Sequence, residues 1–582
     1  MPFTTRPVIM GTHGAVAAGH YLAAQAGLRM LQTGGNAIDA GVAAGFALAA
    51  LKPHENGIGG EAPMLIYSAD RGEAFAVNGN GAAPRAATIA RMKELVSDWI
   101  PGDGFLPAVV PAAVDAYITA LAVFGTLPLH EVLAPALELA ERGFPMYAAL
   151  QHSIEANLPR WKKLYPSSVA AFAPGDRAPR VGEIWSQPAW AATMSLLAAA
   201  ERGAARGGRV AALRAARDVF YKGEIARAIV CFASRTEVMD ASGTAHAALL
   251  TEEDFASYSA RVEPTVQLDY RGLTVHKCNT WCQGPVFLQQ LALLEGFDLA
   301  ALGHNTADYI HVVIEAAKLA FADREAYYGD PEFVDVPLDR LLSKGYAAER
   351  RALIDLQRAS LENRPGGGTP SRARPEGPCA AEDWPITDHG DTTQLDAVDR
   401  RGNMISITPS GGWFSSSPAV AGLGFPLGTR GQMFFLDLAH PNSLQPGKRP
   451  RSTLTPSLAT RNGRPCMVFG TPGGDCQDQW TLQFLLNYLD FGMDLQEAID
   501  APSFHTSHFR NSFYPRGERS GVMAVEGRVP PAVVKELEAR GHTVEVSGDW
   551  AHGQVVAATF DPDTGLICAA ASPRSVCYAV GW

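Results

Sequence analysis

Gly390-Asp391-Thr392-Thr393-Gln394 decides how the rest of this chain is read. It stands at a break in composition. Upstream, from Ala359 to Gly390, the sequence ASLENRPGGGTPSRARPEGPCAAEDWPITDHG is dominated by Gly, Pro, Ser and Arg and has lost any apolar period, the pattern of a linker or mobile segment. Downstream, Gln394 to Asp399 alternates, Arg401-Gly402-Asn403 marks a turn and Met404 to Ser410 alternates again, which predicts a hairpin. A Thr hydroxyl is a weak nucleophile at neutral pH and needs a base beside it. A Thr at a chain terminus carries one: its own α-amine, with a pKa of about 8, takes the hydroxyl proton directly or through water. Inside a longer chain such a terminus is made by cutting the peptide bond before the Thr, and a loose segment before the cut is then free to leave. The same residues also suit two ordinary β-branched positions that open a strand. Spacing alone does not separate Thr392 from Thr393.

Two further stretches carry candidate chemistry. An apolar run from Cys466 to Gly470 predicts a strand, and it leads into Thr471-Pro472-Gly473-Gly474. Successive backbone N–H groups in such a turn can point at one spot and hold a tetrahedral oxyanion, worth about 3 kcal/mol per donor. A plain turn reads the same way. Lys448-Arg449-Pro450-Arg451-Ser452-Thr453-Leu454-Thr455-Pro456 brings hydroxyls and bases together, either to bind a carboxylate or as a basic surface loop.

The rest of the chain is a large α/β (α+β) frame. Residues 15–33 have helical spacing up to Gly34-Gly35, and Asn36 caps a second predicted helix, Ala37 to Leu51. Met64 to Tyr67 reads as a strand. Residues 105–360 are mainly helical in pattern, clearest in the Ala-rich stretches 110–122, 190–216 and 311–322. Val555 to Phe560 and Leu566 to Ala571 predict a hairpin around residues 561–565. No internal repeat is present. A length of 582 residues suggests about four domains, although one layered domain is equally allowed. With 47% hydrophobic and 19% charged residues, a disordered chain is excluded. The net charge of -11, with no long basic run, disfavours nucleic acid and anionic membranes as partners. Eight cysteines are too few for a disulfide scaffold. The pairs Cys278/Cys282 and Cys466/Cys476 lack partner pairs at zinc spacing, so no metal site is assigned. The stretch from Val8 to Leu28 is interrupted by His13, His20 and Gln25, and the apolar run Val42 to Leu51 is too short to span a bilayer. A cytoplasmic protein is the expectation.

Taken in order, these elements resemble the gamma-glutamyltranspeptidase family of N-terminal-nucleophile hydrolases. The resemblance runs from Gly34-Gly35-Asn36-Ala37-Ile38-Asp39-Ala40 and Gly59-Gly60, through Asp391-Thr392-Thr393, Asp399, Gly402-Asn403, Lys448-Arg449-Pro450 and Pro472-Gly473-Gly474. It continues through Ala501-Pro502 and Phe504-His505 to Ser572-Pro573-Arg574-Ser575-Val576. It implies a four-layer αββα sandwich and a precursor that cuts itself between Asp391 and Thr392. Residues 1–391 would form a large chain with a mobile tail over 359–391, and 392–582 a small chain, the two making one domain as a heterodimer. By motif position Thr392 is nucleophile and base, Gly473 and Gly474 line the oxyanion hole, and Ser410 bonds the nucleophile. Ser452 and Thr453 would hold a substrate carboxylate. No cofactor is implied, because the amine and backbone donors suffice.

The departures concern the substrate, a small-molecule amide. Asn80 stands where family members that act on glutathione carry an Arg, and an amide lacks the bidentate grip of a guanidinium. The residues expected around a glutamyl amine read Gly412, Gln432 and Phe435, so the Gln is kept and a carboxylate is lost. The segment from Gln432 to Lys448 is short, leaving no room for the lid over the glutamyl site. Trp413, Phe414, Phe434 and Phe435 fit either an aromatic acyl pocket or the core. Three readings remain: γ-glutamyl transfer or hydrolysis, hydrolysis of another acyl amide such as oxamate or a cephalosporin side chain, and an uncleaved, non-catalytic binding protein of the same fold.

Overall fold

Strand alternation sorts the apolar residues into layers. The structure, a computed structural model, describes residues 3–96, 98–367 and 392–582. Two seven-stranded antiparallel sheets dominate it. The first runs Tyr578–Gly581, Gly14–Ala18, Leu395–Asp399, Met404–Ile407, Met64–Ser68, Glu73–Asn78, Arg261–Pro264. The second runs Ile9–Gly11, Ile567–Ala571, Val556–Phe560, Arg464–Gly470, Ser457–Arg461, Leu273–Lys277, Val266–Tyr270. With a side-chain period of two, alternate residues serve opposite faces. Ala15, Ala17, Val398 and Met404 of the first sheet meet Leu458, Val468, Val556 and Ala558 of the second in a core between the sheets. Their neighbours Val16, Ala18, Leu395, Ala397, Ile405 and Ile407 turn outward into a core shared with helices. On the far side Ala459, Met467, Phe469 and Ala557 pack against the helices Gly284–Leu294, Ala307–Tyr327 and Gln477–Leu489. These cores between four layers make the expected αββα sandwich.

The helix Ala37–Leu51 is buried on every side, which its nearly unbroken run of small and apolar residues allows. Its start is fixed as expected by Asn36, which accepts from Ile38 N and Asp39 N at 3.0 Å each, while Asp39 accepts from Asn36 N at 2.9 Å. Asp399 joins that helix to the predicted hairpin. It accepts from Ala37 N at 3.0 Å and from Arg401 N at 2.8 Å, and Gly402 takes the left-handed conformation (φ 82°) that the tight turn requires. The hairpin near the end of the chain pairs Val556 with Ala571 through Phe560 with Ile567.

Several expectations change. Residues 15–33, read as helical, are the strand Gly14–Ala18 followed by the helix Tyr21–Gln32, and the strand read over Met404 to Ser410 ends at Ile407. The Ala-rich stretch 190–216 is two helices, Pro188–Ala204 and Arg209–Tyr221, separated at Gly207-Gly208 where φ reaches 89° at Gly208. The stretch expected to be mobile from residue 359 is fastened as far as Gly367. Ala359 N donates to Arg540 O at 2.8 Å, Ser360 N to Glu315 at 3.2 Å, and Gly366 N to Asp323 at 2.8 Å. Composition missed this because the anchors are backbone groups reaching buried carboxylates. The remainder of that tail, residues 368–391, lies outside the described residues, as does Asp391 of the expected cleavage site. Among the described residues no helix is long and apolar enough to cross a membrane.

Candidate active site

Thr392 sits at the start of the central strand Leu395–Asp399. Gly19 N donates to Gln394 O at 2.8 Å and Thr393 N to Pro409 O at 3.1 Å, so the strand end is held from both sides. The Thr392 hydroxyl lies 3.0 Å from that of Ser410, and both residues are buried. Thr393 turns the other way. Its hydroxyl is buried without a partner among the described residues, against Gly19, where an added Cβ would come within 2.1 Å of it. The two hydroxyls thus face different surroundings, one Ser410 and the other Gly19.

Gly470 brings the second sheet to this point. An added Cβ there would lie 2.4 Å from the Gln394 amide, so only glycine lets the strand Arg464–Gly470 end beside the strand that follows Thr392. The turn beyond it holds Gly473 at φ 131° and Gly474 at φ 53°. The Trp480 ring closes on Gly473 and the Phe513 ring on Gly474, at 2.2 and 3.1 Å from an added Cβ. Asp475 fixes the turn by accepting from Ser512 N at 2.8 Å and pairing with the buried Arg324. Glycines at positive φ can turn successive backbone N–H groups toward one point.

The basic stretch 448–451 is not a surface loop: Lys448, Arg449 and Arg451 are all buried. Burial brings the Lys448 ammonium down to about 8. Arg451 reaches Glu325 at 2.7 Å and Arg324 reaches it at 2.9 Å. Burial would raise that carboxyl, but the two guanidinium groups outweigh it and hold it at about 2. Ser452 and Thr453 follow directly. Their hydroxyls are 1% exposed and have no partner among the described residues, although the Ser452 backbone is fixed by Trp281 O at 3.0 Å and Gln283 N at 2.9 Å. Buried hydroxyls without partners are costly in a finished core, and they suit a site that awaits an acceptor.

The other expected recognition residues are occupied. Asn80 donates to Trp281 O at 2.9 Å and Pro450 O at 3.3 Å, bracing the segment before Ser452. Gln432 spends both amide protons, on Gly102 O at 3.0 Å and Thr429 Oγ1 at 3.3 Å, and its carbonyl accepts from Tyr514 N at 3.0 Å. Phe435 stacks on His440 at 3.5 Å, with the Arg516 guanidinium 4.2 Å from its ring. Gly412 (φ 62°) packs on the Gly59-Gly60 turn. Phe414 and Phe434 belong to the core, whereas Trp413 joins Met433 and Phe513 in a small separate cluster.

Sequence reasoning missed Glu61 and Arg430. Arg430 donates from Nη2 to Ser410 Oγ at 2.5 Å and from Nε to Glu61 at 3.2 Å. Burial pushes the Glu61 carboxyl up to about 7 against the pull of Arg430. Glu61 directly follows Gly59-Gly60 and Arg430 precedes Gln432 by two positions, but one acid and one base in separate loops form no readable pattern. Cys278 and Cys282 are buried free thiols, and Cys282 Sγ accepts from Gly284 N at 3.2 Å. Among the described residues His311, Glu315 and His542 bring ligand-type atoms within 4.8 Å of one another. The Glu315 carboxylate is already shared by Lys318 at 2.7 Å and Arg364 at 3.1 Å.

A family model, Gamma-glutamyltranspeptidase, matches residues 23–582. The chain belongs to the gamma-glutamyltranspeptidase family. It is accordingly an enzyme of the kind that acts on amide bonds. Among solved structures, LmbA2991HD is 46% identical with a TM-score of 0.94, each chain covered over 100%. The cephalosporin acylase from Bacillus halodurans is 33% identical with a TM-score of 0.85, covering 100% of this chain and 98% of that one. The glutathione hydrolase-like YwrD proenzyme of Bacillus subtilis (strain 168) is 32% identical over 98% of this chain and 99% of its own.

Proposed function

We propose that this member of the gamma-glutamyltranspeptidase family is a precursor that cuts itself between Asp391 and Thr392, and that the processed enzyme hydrolyses an amide whose acyl group is not γ-glutamyl. The observation that carries the reading is the hydroxyl pair of Thr392 and Ser410, 3.0 Å apart at the end of the strand that faces Gly470 and its glycine turn. Once Thr392 is a terminus, its α-amine takes the hydroxyl proton as Oγ1 attacks the amide carbonyl. The N–H groups of Gly473 and Gly474 receive the oxyanion. The leaving amine departs with the proton, and water releases the acyl group by the same steps in reverse roles. Ser452 and Thr453 take a carboxylate of the substrate on their unpartnered hydroxyls.

The non-glutamyl reading rests on what occupies the glutamyl positions. The Asn80 amide protons are spent on backbone carbonyls, which leaves only its Oδ1 without a partner among the described residues; Gln432 has no free amide proton, and Phe435 cannot balance an ammonium. A buried ammonium without a carboxylate is expensive. The name of one relative, a cephalosporin acylase, supports an acyl group of another kind. Purified wild type should run as two bands on a denaturing gel and Thr392→Ala as one. A wild type that stays a single chain after long incubation ends the proposal. For the substrate, γ-glutamyl p-nitroanilide is compared with glutaryl, oxalyl and phenylacetyl anilides. Robust turnover of the first alone would mean that the reading of Asn80, Gln432 and Phe435 is wrong.

A further inference from the structure

The hydrogen bond between Thr392 and Ser410 has two possible directions, and they are not equivalent for a terminal nucleophile. If Ser410 accepts, the Thr392 proton points away from the amine that must receive it. If Ser410 donates, Thr392 Oγ1 gains a donor that steadies its growing charge, and its own proton is left for the amine. A hydroxyl has one proton and two lone pairs. A cationic donor on one lone pair drains the oxygen and strengthens its O–H as a donor to the next group.

Arg430 supplies that donor. Its Nη2 meets Ser410 Oγ at 2.5 Å, and its Nε is tied to Glu61 Oε2 at 3.2 Å. The guanidinium is fully buried, with its centre 5.1 Å from the Trp413 ring and 5.5 Å from the Phe513 ring. The backbone secures the same pair: Glu61 N donates to Ser410 O at 2.8 Å and Ser410 N to Glu61 O at 3.0 Å. Gly411, at φ 74°, leaves space for the Glu61 carboxylate, because an added Cβ would stand 2.2 Å from Oε2. A buried charge held this closely has little freedom to serve the substrate by moving.

We propose that Arg430, braced by Glu61, is a positioning residue that makes Ser410 donate to Thr392 Oγ1 and so leaves the Thr392 proton to the α-amine. This rests on the reading of Thr392 as the processed nucleophile. The test uses a probe that needs no knowledge of the acyl group. Phenylmethylsulfonyl fluoride reacts at the Thr392 oxygen: the O–S bond forms, the S–F bond breaks, fluoride leaves and the proton goes to the amine. The labelling rate is read as a mass increase on the small chain. Arg430→Met alone leaves Glu61 buried and unpaired, so Arg430→Met/Glu61→Gln is measured beside it. Ser410→Ala and the triple variant complete the cycle.

The expected result is a fall of about 10- to 100-fold in Ser410→Ala, a fall of similar size in the Arg430/Glu61 variant, and no further fall in the triple, because both act through one hydroxyl. On whichever anilide the wild type turns over, kcat falls and KM stays within about threefold. Unchanged labelling in the Arg430/Glu61 variant, multiplied losses in the triple, or a raised KM with kcat kept would each overturn the proposal; the last would make Arg430 a substrate anchor. Any variant that matures too slowly to be labelled is compared instead by the cleavage rate of its precursor in the same cycle, with the same non-additive result expected and multiplied losses again overturning it. An unlabelled, uncut wild type would instead sink the reading of Thr392 itself.

Discussion

The two sides of the candidate site are built on different terms. On the side of the proposed nucleophile, Thr392, Ser410, Gly473 and Gly474 lie at or just beyond strand ends, placed by sheet pairing and by glycines that nothing larger can replace. On the proposed acyl side, Asn80, Gly412, Gln432 and Phe435 come from loops and a short 3-10 helix, and the side-chain amide protons of Asn80 and Gln432 are spent on neighbouring groups. The difference teaches that chemistry and specificity are separable here. The reacting groups depend on the frame, while the residues that would hold a glutamyl head have been absorbed into the fold.

Several changes test that separation. Thr392→Ala should abolish self-cleavage and lower turnover by at least about 10⁴-fold, read on gels and by the anilide assays. Gly473→Ala should lower kcat by about 10²- to 10³-fold, because the backbone at φ 131° and the Trp480 ring both exclude a methyl group, and one oxyanion donor moves. A Gly473→Ala enzyme with normal kcat would remove the turn from the machinery.

Asn80→Arg tests the acyl side. If position 80 were simply an emptied carboxylate grip, the Arg would create γ-glutamyl turnover. The expected outcome is none, with a stability loss of about 3 kcal/mol in denaturant melts, because two hydrogen bonds are lost and a charge is buried without a partner.

Two of the buried glutamates, Glu61 and Glu325, should respond to pH with opposite sign. Glu61 has its folded pKa raised to about 7, so its stabilising contribution is full below about 4.5 and is lost as pH rises through about 7. Glu325 has its folded pKa lowered to about 2, so its contribution is full above about 4.5 and is lost as pH falls toward 2. Glu61→Gln should flatten the melting profile between pH 4.5 and 7, and Glu325→Gln should flatten it between 4.5 and 2. Equal slopes in both windows would mean that the two sides share one electrostatic environment.

The smallest effect belongs to Thr393→Val, which removes a buried hydroxyl that has no partner among the described residues. Self-cleavage should stay within about threefold of wild type and Tm within about 3 °C. Loss of cleavage in this variant would move the nucleophile by one residue.

Much of the frame was legible because its signals are local. Asn36 as a helix cap, the Gly402-Asn403 turn and the alternation of 394–399 act within a few residues and formed as read, while the strand read from Met404 stops at Ile407. The candidate nucleophile and the glycine turn were legible for the same reason, as short runs of consecutive residues. What was not legible is pairing across the chain. Arg430 finds Glu61 over a separation of 369 residues. Residues 359–367 looked loose because their own composition carries no period, while the groups that fasten them, Glu315, Asp323 and Arg540, lie on other elements. The aromatic residues Phe414 and Phe434 could not be sorted from Trp413 until packing placed them.

The order of strands gives the Asp391–Thr392 bond a mechanical meaning. In the first sheet Gly14–Ala18 lies between Tyr578–Gly581 and Leu395–Asp399, and in the second the four strands from Ser457 to Ala571 lie between Ile9–Gly11 and Leu273–Lys277. A cut before Thr392 therefore divides the covalent chain but leaves each piece laced through the other, strand by strand. Neither piece owns either of the two seven-stranded sheets. The precursor would serve as the jig that sets the two polypeptides in register before they are parted, and pulling them apart afterwards would mean undoing both of those sheets at once.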